Sequence, residues 1–368
     1  MTITDTTTPT PPAILWTPAR LGRVDLKNRL VMAPMTRSRA LPSGAPGPHA
    51  AAYYAQRAGL GLLVSEGTQP SDEGQGYLFT PGIYTDAHVQ GWKQVTDAVH
   101  AAGSRLYIQL MHVGRLSHPD NTPGRAQAVA PSVIAPQAQM FTQAGMQPIP
   151  APRALSTDEI ARTVEDFAHA ARRAVEAGAD GVEIHGANGY LPQQFIAPNA
   201  NTRADAYGGS IDNRARFTLE VARRVAAEIG PERTGIRLSP GATLGDLLEG
   251  PDGPALYRHL VRALDDIGLA YLHLMHLGDE ALLADLRAAW HQTLIGNRPG
   301  RARAEIGNDI AAGRADLEAY GQFVLANPDF AERLRAGAPL NAADRASYFG
   351  GTAHGYTDYP RLDTPQGA

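Results

Sequence analysis

The stretch STDEIARTVEDFAHAARRAVEAGADGVEIHG, residues Ser156–Gly186, decides the fold class of this chain. Ser156 and Glu159 match a capping box, which predicts that a helix begins here. Gly178 ends that helix, and the run Asp180–Gly186 then predicts a buried strand. Between these points, apolar residues recur at helical spacing, at Ile160, Val164, Phe167, Ala171 and Val175. A helix followed by a buried strand is the repeating unit of a parallel sheet.

Seven further apolar runs of similar length alternate with helical patterns along the chain. They are Leu30–Arg37, Gly61–Gly67, Arg105–His112, Thr234–Pro240, Ala270–His276, His291–Asn297 and Asp316–Phe323. Eight such units predict an α/β fold, a single-domain (β/α)8 TIM barrel over residues 14–368 with an N-terminal cap. Residues 1–13 are predicted to be a flexible tail. Residues 117–155 lack a helical period and are predicted to be a long loop after the third strand.

The composition excludes several kinds of chemistry. The 368-residue chain has no cysteine, which excludes disulfides, thiolate-bound metals and thiol nucleophiles. Its formal net charge of −4 is not that of a typical nucleic-acid-binding protein. No run approaches the ~20 apolar residues of a membrane span, and the polar N-terminus does not resemble a secretory signal. We therefore expect a cytoplasmic protein that acts on a small molecule, as a monomer or homodimer, with no metal and no nucleic-acid or membrane partner.

Polar side chains follow the apolar runs, where the strands of a barrel would end. Active sites of such barrels lie at the C-terminal ends of the strands, so these residues are candidates for chemistry. His185, Asn188 and Tyr190 provide two neutral hydrogen-bond donors for a carbonyl oxygen and a phenol that can deliver a proton. The same three residues also fit a second interpretation, a histidine that caps a loop and a tyrosine that packs in the barrel. The other polar residues at strand ends are Thr36, Gln109, His112 and Arg237.

A longer resemblance favours the first of these interpretations. The segment Glu183–Phe217 closely resembles the signature of the Old Yellow Enzyme family of flavin-dependent ene-reductases. Other segments similar to family motifs stand in the family's order, at Ala33–Ala40, Gln109–His118, Gly235–Pro240, Leu325–Phe330 and Tyr348–Pro360. Several ordered motifs are far more specific than any one of them. The resemblance implies a barrel that holds FMN, is reduced by NADPH or NADH, and reduces the C=C bond of an α,β-unsaturated carbonyl compound.

The resemblance also implies roles for individual residues. His185 and Asn188 would bind the substrate carbonyl, and Tyr190 would protonate the α-carbon. Thr36 would hydrogen-bond the flavin C4 carbonyl, and Arg237 would face flavin N1 and O2, where negative charge develops on reduction. The remaining implied positions are Ala33, Pro34, Met35 and Gly67 beside the flavin ring, Gln109 at its pyrimidine edge, and Tyr77, Met111 and Tyr356 in the substrate pocket.

One departure from the family pattern concerns the flavin phosphate. The eighth strand ends at Gly321 and Gln322, where the family has a Gly-Arg pair, so the expected phosphate-binding arginine is a glutamine. A charged hydrogen bond to phosphate is stronger than a neutral one, so this change is expected to weaken FMN binding unless another group compensates. Asn297 and Arg298 end the seventh strand, and we expect Arg298 to replace the missing arginine.

Two alternatives for the function remain open on the sequence. Arg298, Arg301 and Arg303 would suit the longer anionic tail of a deazaflavin such as F420, which would make the protein an F420-dependent reductase. These arginines equally fit a solvated start of the following helix. The second alternative is a non-catalytic flavin-binding protein whose phosphate site has changed. Tyr190 argues against that alternative, because a protein that only binds flavin needs no proton donor.

Overall fold

A computed structural model describes residues 11–363 of the chain. Its strands, in chain order, are β1 (Ala19–Leu21), β2 (Val24–Leu26), β3 (Leu30–Met32), β4 (Leu62–Val64), β5 (Arg105–Leu110), β6 (Val129–Ala130), β7 (Gln139–Thr142), β8 (Gly145–Pro148), β9 (Arg153–Ala154), β10 (Gly181–Gly186), β11 (Thr234–Leu238), β12 (Tyr271–Met275), β13 (Thr293–Asn297) and β14 (Leu317–Tyr320). Its α-helices are α1 (Ala50–Gln56), α2 (Asp86–Ala101), α3 (Thr157–Glu176), α4 (Leu191–Ile196), α5 (Ile211–Ile229), α6 (Gly253–Asp265), α7 (Glu280–Ala289), α8 (Asn308–Ala311), α9 (Gln322–Ala326) and α10 (Phe330–Arg335). The tail predicted at residues 1–13 lies mostly outside the described residues. Within residues 11–363, no helix combines the length and apolar character that a membrane crossing requires.

Eight of these strands form a closed parallel barrel, which confirms the predicted (β/α)8 fold. Around the barrel the order is β3, β4, β5, β10, β11, β12, β13 and β14, and β14 closes the ring by pairing with β3. Each of the eight predicted apolar runs contains one of these strands. Because all eight strands are parallel, their carboxyl ends meet at one end of the barrel, which we call the mouth.

Helix α3 begins and ends where its sequence predicts. The Ser156 hydroxyl accepts a hydrogen bond from the Glu159 N–H at 3.2 Å, and the Glu159 carboxylate accepts one from the Ser156 N–H at 2.8 Å. Gly178 follows the helix with a φ of +89°, a left-handed conformation that costs glycine little. The helix packs against α5 and leads directly into β10, the strand that carries His185.

An apolar floor fills the end of the barrel opposite the mouth. Leu21 and Leu26, from the β1–β2 hairpin, cluster with the interior side chains Tyr107 and Tyr271. The hairpin lies beside the starts of β11 and β12, since Gly22 approaches the Glu232 carbonyl before β11 and the Ala270 side chain before β12. The hairpin therefore closes this end of the barrel, as predicted for an N-terminal cap, and leaves the mouth as the open end.

The long loop after the third barrel strand covers part of the mouth. Residues 117–155 contain no α-helix, as predicted, but do contain the antiparallel hairpin β7–β8. Met140 of this hairpin and Ile149 just after it are buried in one cluster with Met111 and Tyr190. The loop therefore supplies an apolar wall beside one of the predicted catalytic residues.

Candidate active site

The turn after β10 brings the three predicted catalytic side chains together at the mouth. His185 lies near the end of β10 and Tyr190 immediately precedes α4, and their ring centroids are 4.8 Å apart with an interplanar angle of 75°. Asn188 lies between them with a φ of +53°, a left-handed conformation that asparagine adopts more readily than most residues. This backbone turn places the imidazole beside the phenol, and the Asn188 amide nitrogen donates to Met275 Sδ of β12 at 3.2 Å.

The His185 imidazole is a neutral hydrogen-bond donor. Its Nδ1 accepts a hydrogen bond from the Ala187 N–H at 3.3 Å, so the ring proton is on Nε2. Burial lowers the pKa of His185 well below its ordinary value, and the positive charge of Arg237 lowers it further. Nε2 has no hydrogen-bond partner within residues 11–363, so its proton is available to a ligand.

Two buried polar residues that sequence reasoning missed hold Asn188 in place. The Asn188 N–H donates to the Ser239 hydroxyl at 2.8 Å, and that hydroxyl donates to Gln193 Oε1 at 3.3 Å. Gln193 also accepts a hydrogen bond from the Gly189 N–H at 2.7 Å. Their positions in the sequence could have indicated this role. Ser239 directly follows β11 at the mouth, and Gln193 lies in the first turn of α4.

Tyr190 is a protonated phenol in a mainly apolar pocket. Its hydroxyl donates to the Tyr77 hydroxyl at 3.2 Å, and the two rings are nearly perpendicular. Burial raises the pKa of Tyr190 well above its ordinary value, and the neighbouring Tyr77 raises it further. Met111 and Met140 complete the cluster. The predicted pocket residues Tyr77 and Met111 therefore lie beside the predicted proton donor.

A set of buried polar side chains lies inside the barrel, with Arg237 opposite His185 in the strand register and Glu183 two residues before His185. We call it the interior polar layer, and its members are Gln109, Glu183, Arg237, His273 and Asn297. The Gln109 amide nitrogen donates to Glu183 Oε1 at 2.8 Å, and His273 Nδ1 lies 2.8 Å from Glu183 Oε2. Arg237 donates to Asn297 Oδ1 at 3.0 Å, and the Asn297 amide donates to the Ala319 carbonyl at 2.9 Å. The three predicted cofactor residues Gln109, Arg237 and Asn297 thus belong to two hydrogen-bonded groups, which interact through the opposite charges of Glu183 and Arg237.

Glu183 and His273 are the members of this layer that sequence reasoning did not place in the site. Both side chains have no exposed surface. A signal for Glu183 was present, because residues two apart on a strand face the same side and Glu183 precedes His185 by two. No such local signal pointed to His273, since its partner Glu183 is 90 residues away in the chain.

The loop after β3 carries the residues expected beside the flavin ring. Its backbone is fixed by Glu66, whose carboxylate accepts hydrogen bonds from the Arg37 N–H at 2.9 Å and the Ser38 N–H at 3.2 Å. Burial raises the pKa of Glu66 to about 7, although these hydrogen bonds oppose the shift. Thr36 precedes the clamped segment, is half-buried, and has no side-chain hydrogen bond within residues 11–363. Its hydroxyl is therefore available to a ligand.

Gly67 packs closely against Met111 after β4. A Cβ atom on Gly67 would lie 2.3 Å from Met111 Sδ, so a larger residue here would require the flexible Met111 side chain to move. Glycine therefore allows Met111 to keep its observed position over this part of the mouth. The two residues, predicted for the flavin ring and the substrate pocket, are in direct contact.

Tyr356 lies outside this pocket, contrary to the prediction. Its ring stacks on Tyr53 with 4.1 Å between centroids, and the guanidinium groups of Arg37 and Arg39 lie over it at 5.1 and 4.7 Å. The side chain is 1% exposed. Tyr356 therefore stabilises the packing of the C-terminal segment against α1, and we leave it out of the substrate pocket.

Arg298 has no hydrogen-bond donor left for a phosphate, which contradicts its predicted role. Its Nε and Nη2 donate to Asp309, its Nη1 and Nη2 donate to Glu280, and its Nη1 also lies 2.8 Å from His276 Nδ1. These contacts use all five N–H groups of the guanidinium. Arg301 is also neutralised, by ion pairs with Asp309 and Glu318.

Comparisons with known proteins agree with this geometry. The chain matches the NADH:flavin oxidoreductase / NADH oxidase family over residues 14–341. It is 44% identical to 12-oxophytodienoate reductase 2 of Arabidopsis thaliana over 368 residues, which cover 95% of this chain and 96% of that protein. This chain belongs to the Old Yellow Enzyme family. Like other Old Yellow Enzymes, it is an FMN-dependent NAD(P)H oxidoreductase.

Solved structures of Old Yellow Enzyme relatives have the same fold. Morphinone reductase in complex with tetrahydroNAD superposes with a TM-score of 0.91 at 44% identity, covering 96% of this chain and 99% of that one. The Old Yellow Enzyme homologue from Zymomonas mobilis superposes with a TM-score of 0.90 at 37% identity, covering 94% and 99% of the two chains. These relatives support FMN and a nicotinamide reductant, and they give no support to F420.

The residues at the mouth of this Old Yellow Enzyme fit FMN. Arg237 Nε is buried and has no hydrogen-bond partner within residues 11–363, as expected of a group whose acceptor belongs to a ligand. Burial lowers the pKa of Arg237, but an arginine remains charged. The Thr36 hydroxyl and the Gln109 amide oxygen are also without partners in the described chain. The site thus offers a cation, a hydroxyl and an amide to a polar ring system.

Proposed function

We propose that this protein is an ene-reductase, which reduces the C=C bond of α,β-unsaturated carbonyl compounds with FMN as resident cofactor and NADPH or NADH as reductant. The observation that carries the proposal is the turn that brings His185 beside Tyr190 at the mouth, with Asn188 between them in the chain and Arg237 opposite His185 in the strand register. Two relatives are named as reductases of 12-oxophytodienoate and morphinone, which supports a carbonyl-containing substrate.

Substrate binding is assigned to His185 and Asn188. The His185 Nε2–H and the Asn188 amide would both donate to the carbonyl oxygen of the substrate. Because both donors are neutral, they polarise the carbonyl without placing a charge beside the flavin site, and they stabilise the negative charge that develops on the oxygen. The Asn188 backbone is held by Ser239, so the amide is positioned before the substrate arrives.

Proton transfer is assigned to Tyr190. FMN, when bound, would supply the hydride for the β-carbon of the substrate, and Tyr190 would donate its phenolic proton to the α-carbon. Burial keeps this phenol protonated at neutral pH, so the proton is available in every turnover. Hydride and proton together add two hydrogen atoms across the C=C bond, and the carbonyl is retained.

The flavin phosphate is assigned to the segment at Gly321 and Gln322. Gln322 is exposed at the start of α9 and has no side-chain hydrogen bond within residues 11–363, whereas every donor of Arg298 is in use. The backbone N–H groups and the Gln322 amide would bind the phosphate as neutral donors. Neutral donors bind phosphate less strongly than an arginine, so we expect FMN to be held less tightly than with a Gly-Arg pair.

The absorbance spectrum of the purified protein tests the cofactor directly. We expect flavin bands, release of FMN on denaturation as identified by mass, and oxidation of NADPH or NADH that depends on added 2-cyclohexenone. A colourless protein that fails to bind added FMN would contradict the proposal. Bound FMN without enone-dependent turnover would contradict the substrate class and leave the cofactor in place.

A further inference from the structure

The interior polar layer contains a carboxylate that the proposed chemistry does not use. Glu183 has no exposed surface and lies on β10, directly opposite Gln109 of β5 in the strand register. Burying a carboxylate is costly unless other groups compensate it, and three uncharged side chains, including Tyr271, and one cation surround this one. The burial of this charge inside the barrel suggests that Glu183 has a functional role.

We infer that Glu183, held by His273, is a positioning residue that fixes the orientation of the Gln109 amide and sets the charge behind the flavin site. The inference rests on the proposed function, because it assumes that FMN binds at the mouth. It concerns Glu183 and His273, which make no contact with substrate in the proposed chemistry.

The hydrogen bonds of Glu183 leave Gln109 only one orientation. An ionised carboxylate is purely an acceptor, so the group that faces Glu183 must be the NH2 of the Gln109 amide. The reversed amide would place two oxygen atoms against each other. The Gln109 oxygen is thereby left for the cofactor and has no partner within residues 11–363. An acceptor at this place matches a ring N–H, such as N3–H of the flavin pyrimidine edge.

His273 keeps Glu183 ionised and immobile without cancelling its charge. Burial lowers the pKa of His273 despite the nearby carboxylate, so the imidazole is neutral and donates its Nδ1 proton to Glu183 Oε2. Burial alone would raise the pKa of Glu183, but the contacts with His273 and the charge of Arg237 outweigh it and hold the pKa below its ordinary range. The pair therefore carries one negative charge.

The negative charge of Glu183 opposes the effect of Arg237. The reduced flavin carries more negative charge than the oxidised form, so Arg237 favours reduction and Glu183 disfavours it. With both present, the interior polar layer has no net charge. Removing the Glu183 charge leaves Arg237 unopposed, which makes the bound flavin easier to reduce.

The Glu183→Gln variant tests both parts of the inference on the FMN-loaded protein. We expect the midpoint potential of bound FMN to rise by about 30 mV, equivalent to a tenfold shift of a two-electron equilibrium. We also expect the dissociation constant of FMN to increase about tenfold, because the Gln109 amide can then rotate and lose its bond to the ring. A potential and an affinity that both equal the wild-type values would overturn the inference.

Two further variants separate positioning from a loss of structure. Glu318→Gln removes another buried carboxylate, one that binds the Gly307 and Asp309 N–H groups outside the barrel interior, and we expect it to leave the FMN potential unchanged. Glu183→Asp keeps the charge but withdraws it from Gln109, so the affinity should fall while the potential stays near the wild-type value. If Glu183→Gln does not fold, an unchanged affinity in Glu183→Asp overturns the inference. Failure of the wild-type protein to bind FMN would instead contradict the proposed function.

Discussion

At the scale of single residues, burial fixes the protonation states of His185 and Tyr190, two of the proposed catalytic residues. His185 is held neutral with its proton on Nε2, and Tyr190 is held as the phenol. Both groups are therefore hydrogen-bond donors across the physiological pH range. The proposed chemistry requires this state, because His185 would donate to the carbonyl oxygen and Tyr190 to the carbanion-like α-carbon. Asn188 adds the third donor from a left-handed backbone position, which marks a turn shaped for function.

Replacing Tyr190 by phenylalanine tests the proton donor. We expect the rate of enone reduction by pre-reduced enzyme to fall about 10² to 10⁴-fold, the usual contribution of a general acid. FMN binding and flavin reduction by NADPH or NADH should not change, because the hydroxyl touches neither step in the proposed chemistry. Stopped-flow measurement of the two half-reactions separates these outcomes.

The matched control for this variant is Tyr207→Phe. The Tyr207 hydroxyl donates a hydrogen bond to Glu220 at 2.9 Å. This hydroxyl makes no hydrogen bond to His185, Asn188 or Tyr190, so both half-reactions should proceed at wild-type rates in Tyr207→Phe. If Tyr190→Phe reduces enones as fast as the wild type, water or another acid supplies the proton and the assignment fails.

At the scale of elements, the loops after β13 and β14 are held by an ion-pair network. The buried Asp309 carboxylate forms ion pairs with Arg298, Arg301 and Arg314. Glu318 accepts the Asp309 N–H at 2.8 Å, which ties the start of α8 to β14. Two of the three arginines that the sequence places near the phosphate, Arg298 and Arg301, therefore bind protein carboxylates.

Replacing Arg298 by alanine separates the structural and cofactor roles of this network. We expect FMN affinity to stay at the wild-type value, because no donor of Arg298 is free for phosphate. The free energy of unfolding should fall by about 1–3 kcal/mol, because Glu280 and Asp309 lose a charged partner. Flavin titration of the apoprotein and urea unfolding measure the two quantities.

A second variant, Gln322→Arg, provides the comparison for the FMN affinity of Arg298→Ala. That variant restores a charged donor where the family pattern has one, and we expect it to bind FMN about tenfold more tightly. A large loss of FMN affinity in Arg298→Ala, with no gain in Gln322→Arg, would show that Arg298 is the phosphate ligand after all.

At the scale of the whole molecule, the barrel is layered along its axis. The β1–β2 hairpin and apolar side chains close one end, the interior polar layer lies above them, and the catalytic cluster lies at the mouth. Gly235 of β11 permits this layering, since a Cβ atom there would lie 2.3 Å from the Tyr271 ring. The layers place charged groups where solvent is excluded, so stability must depend on pH.

His112 provides a test of that pH dependence. Burial lowers the pKa of His112 from 6.5 to about 3, so below pH 6.5 the unfolded chain binds a proton that the folded protein does not. The free energy of unfolding should therefore fall as the pH falls from 6.5, by up to about 1.4 kcal/mol per pH unit from this residue. Urea unfolding of the wild type and of His112→Asn at pH 6.5 and pH 5 measures the effect.

The comparison between the two proteins isolates His112 from other groups. Glu66 acts in the opposite direction, because its raised pKa makes stability fall as the pH rises through about 7. That contribution is present in both proteins and cancels in the difference. Equal loss of stability on acidification of the two proteins would contradict the assignment to His112.

The sequence by itself determined the fold and the grouping of the proposed catalytic residues. The capping box at Ser156, the glycine stop at Gly178 and the alternation of helices with apolar runs depend on neighbours a few residues apart, and all appear in the structure. His185, Asn188 and Tyr190 lie in one short turn, so their proximity follows from local geometry once the strand is known.

Only the tertiary structure decided which long-range partners the side chains have. Glu183 meets His273 across 90 residues, and Tyr356 packs on Tyr53 rather than in the pocket. Arg298 binds carboxylates on the preceding helix α7 and the following helix α8 rather than a phosphate. The periodicity of a strand shows which side a residue faces, but its partner depends on strand register, loop path and competing charges. Those are set only when the barrel closes and buried polar groups must all find partners.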